Sequence, residues 1–131
     1  MTTTSLAINE TLVPNRGYTA AALAAISLPV SAPESLSASV KSPIKSLADL
    51  VTEAKAGTVF MGAAGIGSGS HIAGEYFFKV VAKAPVKHIP FQGGNPAMMG
   101  LLTGDVTVLA ATATALVRNV NNGDVTGLGI A

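Results

Sequence analysis

The stretch AAGIGSGSH, residues 63–71, decides how the chain is read. It follows TVFMG (58–62), a short apolar run of strand type, and leads into an amphipathic segment read as a helix over 69–83. A glycine-rich turn from strand into helix leaves first-turn N–H groups without intrahelical acceptors, and the helix dipole puts partial positive charge beside them. That chemistry suits a carboxylate, sulfate or phosphate held without a formal cation. The competing reading is plain: the glycines serve a tight turn, and Ser68 or Ser70 is an ordinary N-cap.

Outward from this stretch the chain alternates helix and strand. SLADLVTEAKAG (46–57) has Ser46 at the N-cap and Asp49 three residues on, the pattern of a capping box. Leu47, Leu50, Val51 and Ala54 share one face, and Gly57 stops the helix. Ile72, Ala73, Tyr76, Phe77, Val80 and Val81 give the helix after the glycines an apolar stripe, expected to face the core. VKHIPF (86–91) is the next strand and QGGN a loop. Asn95, with Pro96 at the first helical position, opens a helix that carries Met98, Met99, Leu101 and Leu102 and closes at Gly104. VTVLAA (106–111) is a strand, Thr112 is placed to cap a helix ending at Asn122-Gly123, and VTGLGIA (125–131) is a final strand. Before residue 44 two further strands are expected, in ALAAISLPVSA (22–32) and SLSASVK (35–41), with Pro29 and Pro33 placing the first near an edge or turn. Strands alternating with helices predict an α/β fold, a parallel or mixed sheet with helices on both faces.

In such a sheet ligands sit beyond the carboxyl ends of the strands, where residues 63–71 fall. Gln92 and Gly93 open a second loop that would lie beside the first, and two converging glycine loops suggest a cleft.

Other chemistries find less support. G-x-G-x-x-G is not met by GIGSGS, and the P-loop lysine is missing, which disfavours nucleotides. Ser70 and His71 are adjacent, but consecutive helical residues point about 100° apart, so the histidine is badly placed to activate the serine. His88 is expected to be a satisfied core or edge histidine. Glu75 and Lys79 form an i,i+4 pair on a solvated face. No carboxylate or histidine spacing suggests a metal. The residues therefore predict no catalytic group, no metal and no cofactor.

The 131 residues suffice for one domain, burying roughly two-thirds of its unfolded surface. Nearly half are apolar and 11% are charged, against about 25% in an ordinary soluble domain. Either both sheet faces are covered, or a missing partner hides part of the apolar surface. The net charge of +1 with scattered lysines and arginines gives no field for nucleic acid. There is no cysteine, and the opening MTTTSLAINE lacks the basic start and apolar core of a signal peptide.

SPIKSLADLVTEAKAG, VFMGAAGIGSGSHIAGEYFFKVV and VKHIPFQGGNPAMMGLLTGDV together resemble the Bug, or TctC, family of solute-binding proteins, the extracytoplasmic receptors of tripartite tricarboxylate transporters. TSLAINETLVP is similar to the family's link from its first lobe into its second. The resemblance implies one lobe of a type II periplasmic-binding-protein-like fold, residues 1–25 being hinge and 26–131 the ligand-binding second lobe. It implies an excised or truncated receptor, periplasmic as a full-length protein, that binds a small carboxylate and works with transporter membrane subunits. Carried over by position, Ala64, Gly65, Gly67, Ser68, Gly69 and Ser70 would hold the carboxylate, His71 would order the loop, and Thr4, Ser5, Gln92 and Gly93 would border the cleft. The chain departs from the family pattern at Thr107 and at Ala111–Thr112, where an acidic or polar group is usual, so ligand specificity does not carry over. An alternative function is an interaction module forming a homodimer through the exposed cleft face. An acyl-transfer enzyme using Ser68 or Ser70 is a third and weaker one.

Overall fold

The computed structural model describes residues 3–130; Met1, Thr2 and Ala131 lie outside them. The ordered elements are α1 (Ser5–Leu12), β1 (Glu34–Ser39), α2 (Leu47–Lys55), β2 (Phe60–Ala63), α3 (Gly69–Tyr76), β3 (Lys87–Pro90), α4 (Gly94–Thr103), β4 (Val108–Thr112), α5 (Ala113–Asn121) and β5 (Val125–Ile130). Five strands form one sheet in the order β3-β2-β4-β1-β5. β2 pairs in parallel with both β3 and β4, whereas β1 is antiparallel to β4 and β5.

The sheet is thus mixed: β2, β3, β4 and β5 run one way, and β1, inserted between β4 and β5, runs against them. The first residue of β1, Glu34, accordingly pairs with Thr112 at the last position of β4. The carboxyl ends of β2, β3, β4 and β5 and the start of β1 therefore share one edge.

Side chains alternate across β4. Val108 and Ala110 face Leu50 and Ala54 of α2 and Phe78 beyond α3, with Met61 and Ala38 completing that cluster. Leu109 and Ala111 face Ala97 and Leu101 of α4 and Leu116 of α5. Helices cover both faces, as the alternation of elements predicts.

Several local expectations need correction. Residues 22–32 form no strand; apart from a 3-10 turn at Ala20–Ala22 the segment has no regular structure, and Ile26 is 97% exposed. It has no neighbouring strand to take its N–H and C=O groups, and apolar alternation alone does not make a strand. The Ser46 cap does form, its Oγ accepting from Asp49 N–H at 3.2 Å. The Asp49 carboxylate reaches one residue further back than expected, to Lys45 N–H. α4 begins at Gly94 with Gly93 as its N-cap, so Asn95 lies inside the helix.

The stripe expected for α3 is met only in part: Ala73 and Phe77 are half-buried, and Phe77 packs on the core. Ile72, Tyr76, Val80 and Val81 are exposed, while Ser70, Gly74 and Phe78, four apart, are buried. Gly74 is the reason: a Cβ there would run into Met61 and stand 3.2 Å from the Cβ of Ala110. The bare backbone lets the helix press onto the sheet through a residue that apolar counting ignores. Past Tyr76 the helix widens into a π turn, Phe77–Val81, closed by Ala82 N–H donating to Phe77 C=O at 2.8 Å. That turn sets Phe77 edge-on to the buried Phe78, with ring centroids 5.2 Å apart.

Candidate functional site

The glycine loop lies at the carboxyl edge of the sheet, between β2 and α3. Ser68 is the N-cap of α3: its Oγ accepts from His71 N–H at 3.1 Å and donates to Gly65 C=O at 2.7 Å. Ser70 Oγ lies 3.1 Å from Ser68 Oγ and accepts from Ala64 N–H at 3.4 Å. The two hydroxyls therefore brace the loop against itself. Gly67 N–H donates to His71 Nδ1 at 3.3 Å. The histidine imidazole thus orders the loop, and it makes no hydrogen bond to Ser70, so the pair has no nucleophile–base geometry.

Gly67 has φ +80°, in the left-handed region, and Asn9 of α1 packs so close that a Cβ would stand 2.6 Å from Asn9 Oδ1. The positive φ is what calls for glycine there, since Asn9 could swing its side chain away. With Ser68 N–H bonded to Gly65 C=O and His71 N–H capped, Gly69 N–H and Ser70 N–H have no acceptor among the described residues. These are the donors that an anion at the end of α3 would meet. Thr4 flanks them, its Cβ 3.8 Å from where a Gly69 Cβ would stand. Ser5 opens α1 and is half-buried.

The second loop adjoins the first through Phe91, whose N–H donates to Ala63 C=O at 3.1 Å and whose carbonyl abuts Gly65. Gly93 follows with φ +117°, and Ala97 N–H donates to its carbonyl to start α4. Gln92 is exposed next to it and makes no side-chain hydrogen bond among the described residues. Loop Ala64–His71 and loop Gln92–Gly93 are thus brought to one edge, each leading into a helix N-terminus.

Beneath the first loop, His71 stacks on His88 of β3, with ring centroids 4.2 Å apart and planes 29° off parallel. His88 is on an edge strand, but its buried Nε2 has no partner among the described residues, so it is not the satisfied histidine expected. Burial foremost, and then the neighbouring His71, hold its pKa below the ordinary value against the opposing pull of Glu75. Glu75 pairs with Lys79 one turn along the helix, yet its side chain is only 17% exposed, so this face is less solvated than its spacing suggests. Thr107 lies at the far edge from the site, where its Oγ1 accepts from Phe60 N–H at 2.9 Å. Among the described residues no three histidine, aspartate or glutamate groups are placed to hold a metal, and no helix is long and apolar enough to cross a membrane.

One polar group at this edge escaped the sequence reading. Glu34 opens β1, and its Oε1 lies against Gly69, 2.8 Å from where a Cβ would be. The only signal for it is a charged residue leading the run SLSAS.

The fold is shared with solved receptors. MatC from Rhodopseudomonas palustris with bound malate superposes with a TM-score of 0.82 at 24% identity, over 95% of this chain and 43% of that one. A TctC solute-binding protein from Polaromonas gives 0.72 at 24% identity, over 76% and 34% of the two chains. An R. palustris protein solved with adipate gives 0.70 at 26% identity, over 76% and 33%. The chain thus spans between a third and a half of the length of the structures it matches. No curated protein matches it in sequence. The tripartite tricarboxylate transporter family receptor model, TctC, matches residues 1–131. The chain belongs to the TctC family of receptors.

Proposed function

We propose that the chain is the second lobe of a periplasmic solute-binding receptor, residues 1–25 serving as hinge and 26–131 as the lobe. In this reading its glycine edge holds one carboxylate of a small solute and catalyses nothing. The observation that carries it is the pair of donors, Gly69 N–H and Ser70 N–H, unpaired at the start of α3 while both nearby serine hydroxyls are engaged in holding the loop. Ala64, Gly65, Gly67, Ser68 and His71 shape that cradle, and Thr4, Gln92 and Gly93 border it. Two of the similar structures carry malate and adipate, both carboxylates. The full-length receptor would deliver its solute to transporter membrane subunits.

Clamshell receptors gain affinity by closing two lobes on the ligand and excluding water. One lobe alone should bind at millimolar level, about −4 kcal/mol. Titrating the isotope-labelled chain with acetate, succinate, malate, adipate and citrate should move the amides of residues 65–71 and saturate in that range. Shifts confined to other regions would sink the assignment.

A second reading rests on the exposed run Ile26, Leu28 and Val30, 97%, 83% and 71% exposed. Apolar surface of this kind promotes association, here as a homodimer of the chain. Sedimentation across a concentration series tests it: a strict monomer would sink this second reading and leave the first intact.

A further inference from the structure

β1 delivers a carboxylate to the edge that the glycine loop occupies. Glu34 pairs in register with Thr112 at the end of β4, and its Oε1 rests against Gly69 beside Thr4. Its Oε2 is shut off from solvent and has no hydrogen-bond partner among the described residues. It takes part in neither of the two ion pairs among the described residues, Arg16–Glu10 and Lys79–Glu75. The remaining surroundings are a cavity of about 130 Å³ whose walls include Leu36, Ala73, Phe77, Ala110 and Ile130. Burial raises the Glu34 pKa above its ordinary value.

A carboxylate half-buried among apolar groups with no partner is costly, and proteins ordinarily pair such groups. Nor does Glu34 cap the helix, since it accepts no hydrogen bond from the N–H groups of α3 that it abuts. Beside it, Gly69 N–H and Ser70 N–H have no acceptor among the described residues and are free to serve an anion. A solute bringing only carboxylates would set one anion against another. A solute whose carboxylate is flanked by an ammonium meets both demands, the anion on the helix N–H groups and the cation on Glu34.

We propose that Glu34 is a specificity-determining residue of this half-site, accepting the ammonium of an α-amino carboxylate whose carboxylate rests on Gly69 and Ser70. The assignment rests on the carboxylate site described under Proposed function. A hydroxyl at the same carbon would give Oε2 a hydrogen bond but leave its charge uncompensated, so a hydroxy acid ranks below the amino acid.

Succinate, malate and aspartate share one carbon skeleton and differ by hydrogen, hydroxyl or ammonium at one carbon. Titrated into the labelled 131-residue chain, aspartate should half-saturate the amides of residues 65–71 at about tenfold lower concentration than succinate, with malate between. In Glu34→Gln the aspartate and succinate midpoints should converge to within about twofold, and Glu34→Asp should keep part of the preference. The dispersed amide spectrum of each variant reports that it is folded, and the ranking in the unaltered chain needs no variant. Succinate binding as well as aspartate in the unaltered chain, or a preference that survives Glu34→Gln, overturns the assignment. No response at these amides to any of the three is a different failure: it overturns the carboxylate half-site, and the role of Glu34 with it.

Discussion

Ser68 makes more contacts than an ordinary N-cap. Its hydroxyl accepts from His71 N–H, donates to Gly65 C=O and touches Ser70 Oγ, so it joins the start of the helix to the middle of the loop. Ser68→Ala should cost about 1 kcal/mol of stability, read from the urea midpoint, with the largest amide shifts between residues 64 and 71. His88 sets a pH dependence. Its folded-state pKa lies below the ordinary 6.5, so the unfolded chain takes up the proton first. The stability contributed by its neutral ring is complete above pH 6.5 and is lost as pH falls through the folded-state value. Glu34 has the opposite sign: with its pKa raised above 4.5, its contribution is present below 4.5 and is lost as pH rises through the folded-state value. The His88 contribution should lower the urea midpoint on acidification from pH 6.5 against the opposing Glu34 contribution, and His88→Phe, which keeps a ring under His71, should remove that part of the pH dependence.

At the scale of elements, the contact between α3 and the sheet depends on Gly74. Any side chain there must displace Met61, which is fully buried, or push the helix off Ala110. Gly74→Val should destabilise the chain by about 1–3 kcal/mol through overpacking, measured by denaturant unfolding. Since α3 presents Gly69 and Ser70, the same substitution should also shift the loop amides. α1 behaves otherwise. It buries none of its own residues, yet Asn9 lies over Gly67 and Thr4 over Gly69. Removing residues 1–12 should leave the unfolding midpoint within about 0.5 kcal/mol and speed hydrogen exchange at Gly67 and Gly69. A large loss of stability would show that α1 is part of the core.

The whole molecule leaves much apolar surface uncovered. Ile26, Leu28 and Val30 stand out along the extended chain before β1, and Ile130 is 73% exposed at the end of the edge strand β5. The similar structures are two to three times as long as this chain, so a longer protein has ample chain with which to cover these residues. By itself the chain should self-associate as its concentration rises, and the double change Ile26→Glu with Val30→Glu should shift sedimentation toward monomer. Unchanged association in that variant would place the contact elsewhere.

Punctuation and periodicity were enough to place five of the strands, the helices between them and the glycine loop at a carboxyl edge. Those features are local: caps at Ser46 and Ser68, stops at Gly57 and Gly104, and short apolar runs each carry their own signal. The direction of β1 is not local, because it depends on which neighbours the strand finds, and Glu34 reaches the site only through its pairing with Thr112. The orientation of α3 was hidden too: its closest contact is made by Gly74, a residue with no side chain to count. The sequence by itself determined an α/β lobe with a glycine cradle at a helix N-terminus. Only the tertiary structure decided that a lone carboxylate stands beside that cradle, since sheet pairing brings together residues that sequence spacing cannot relate.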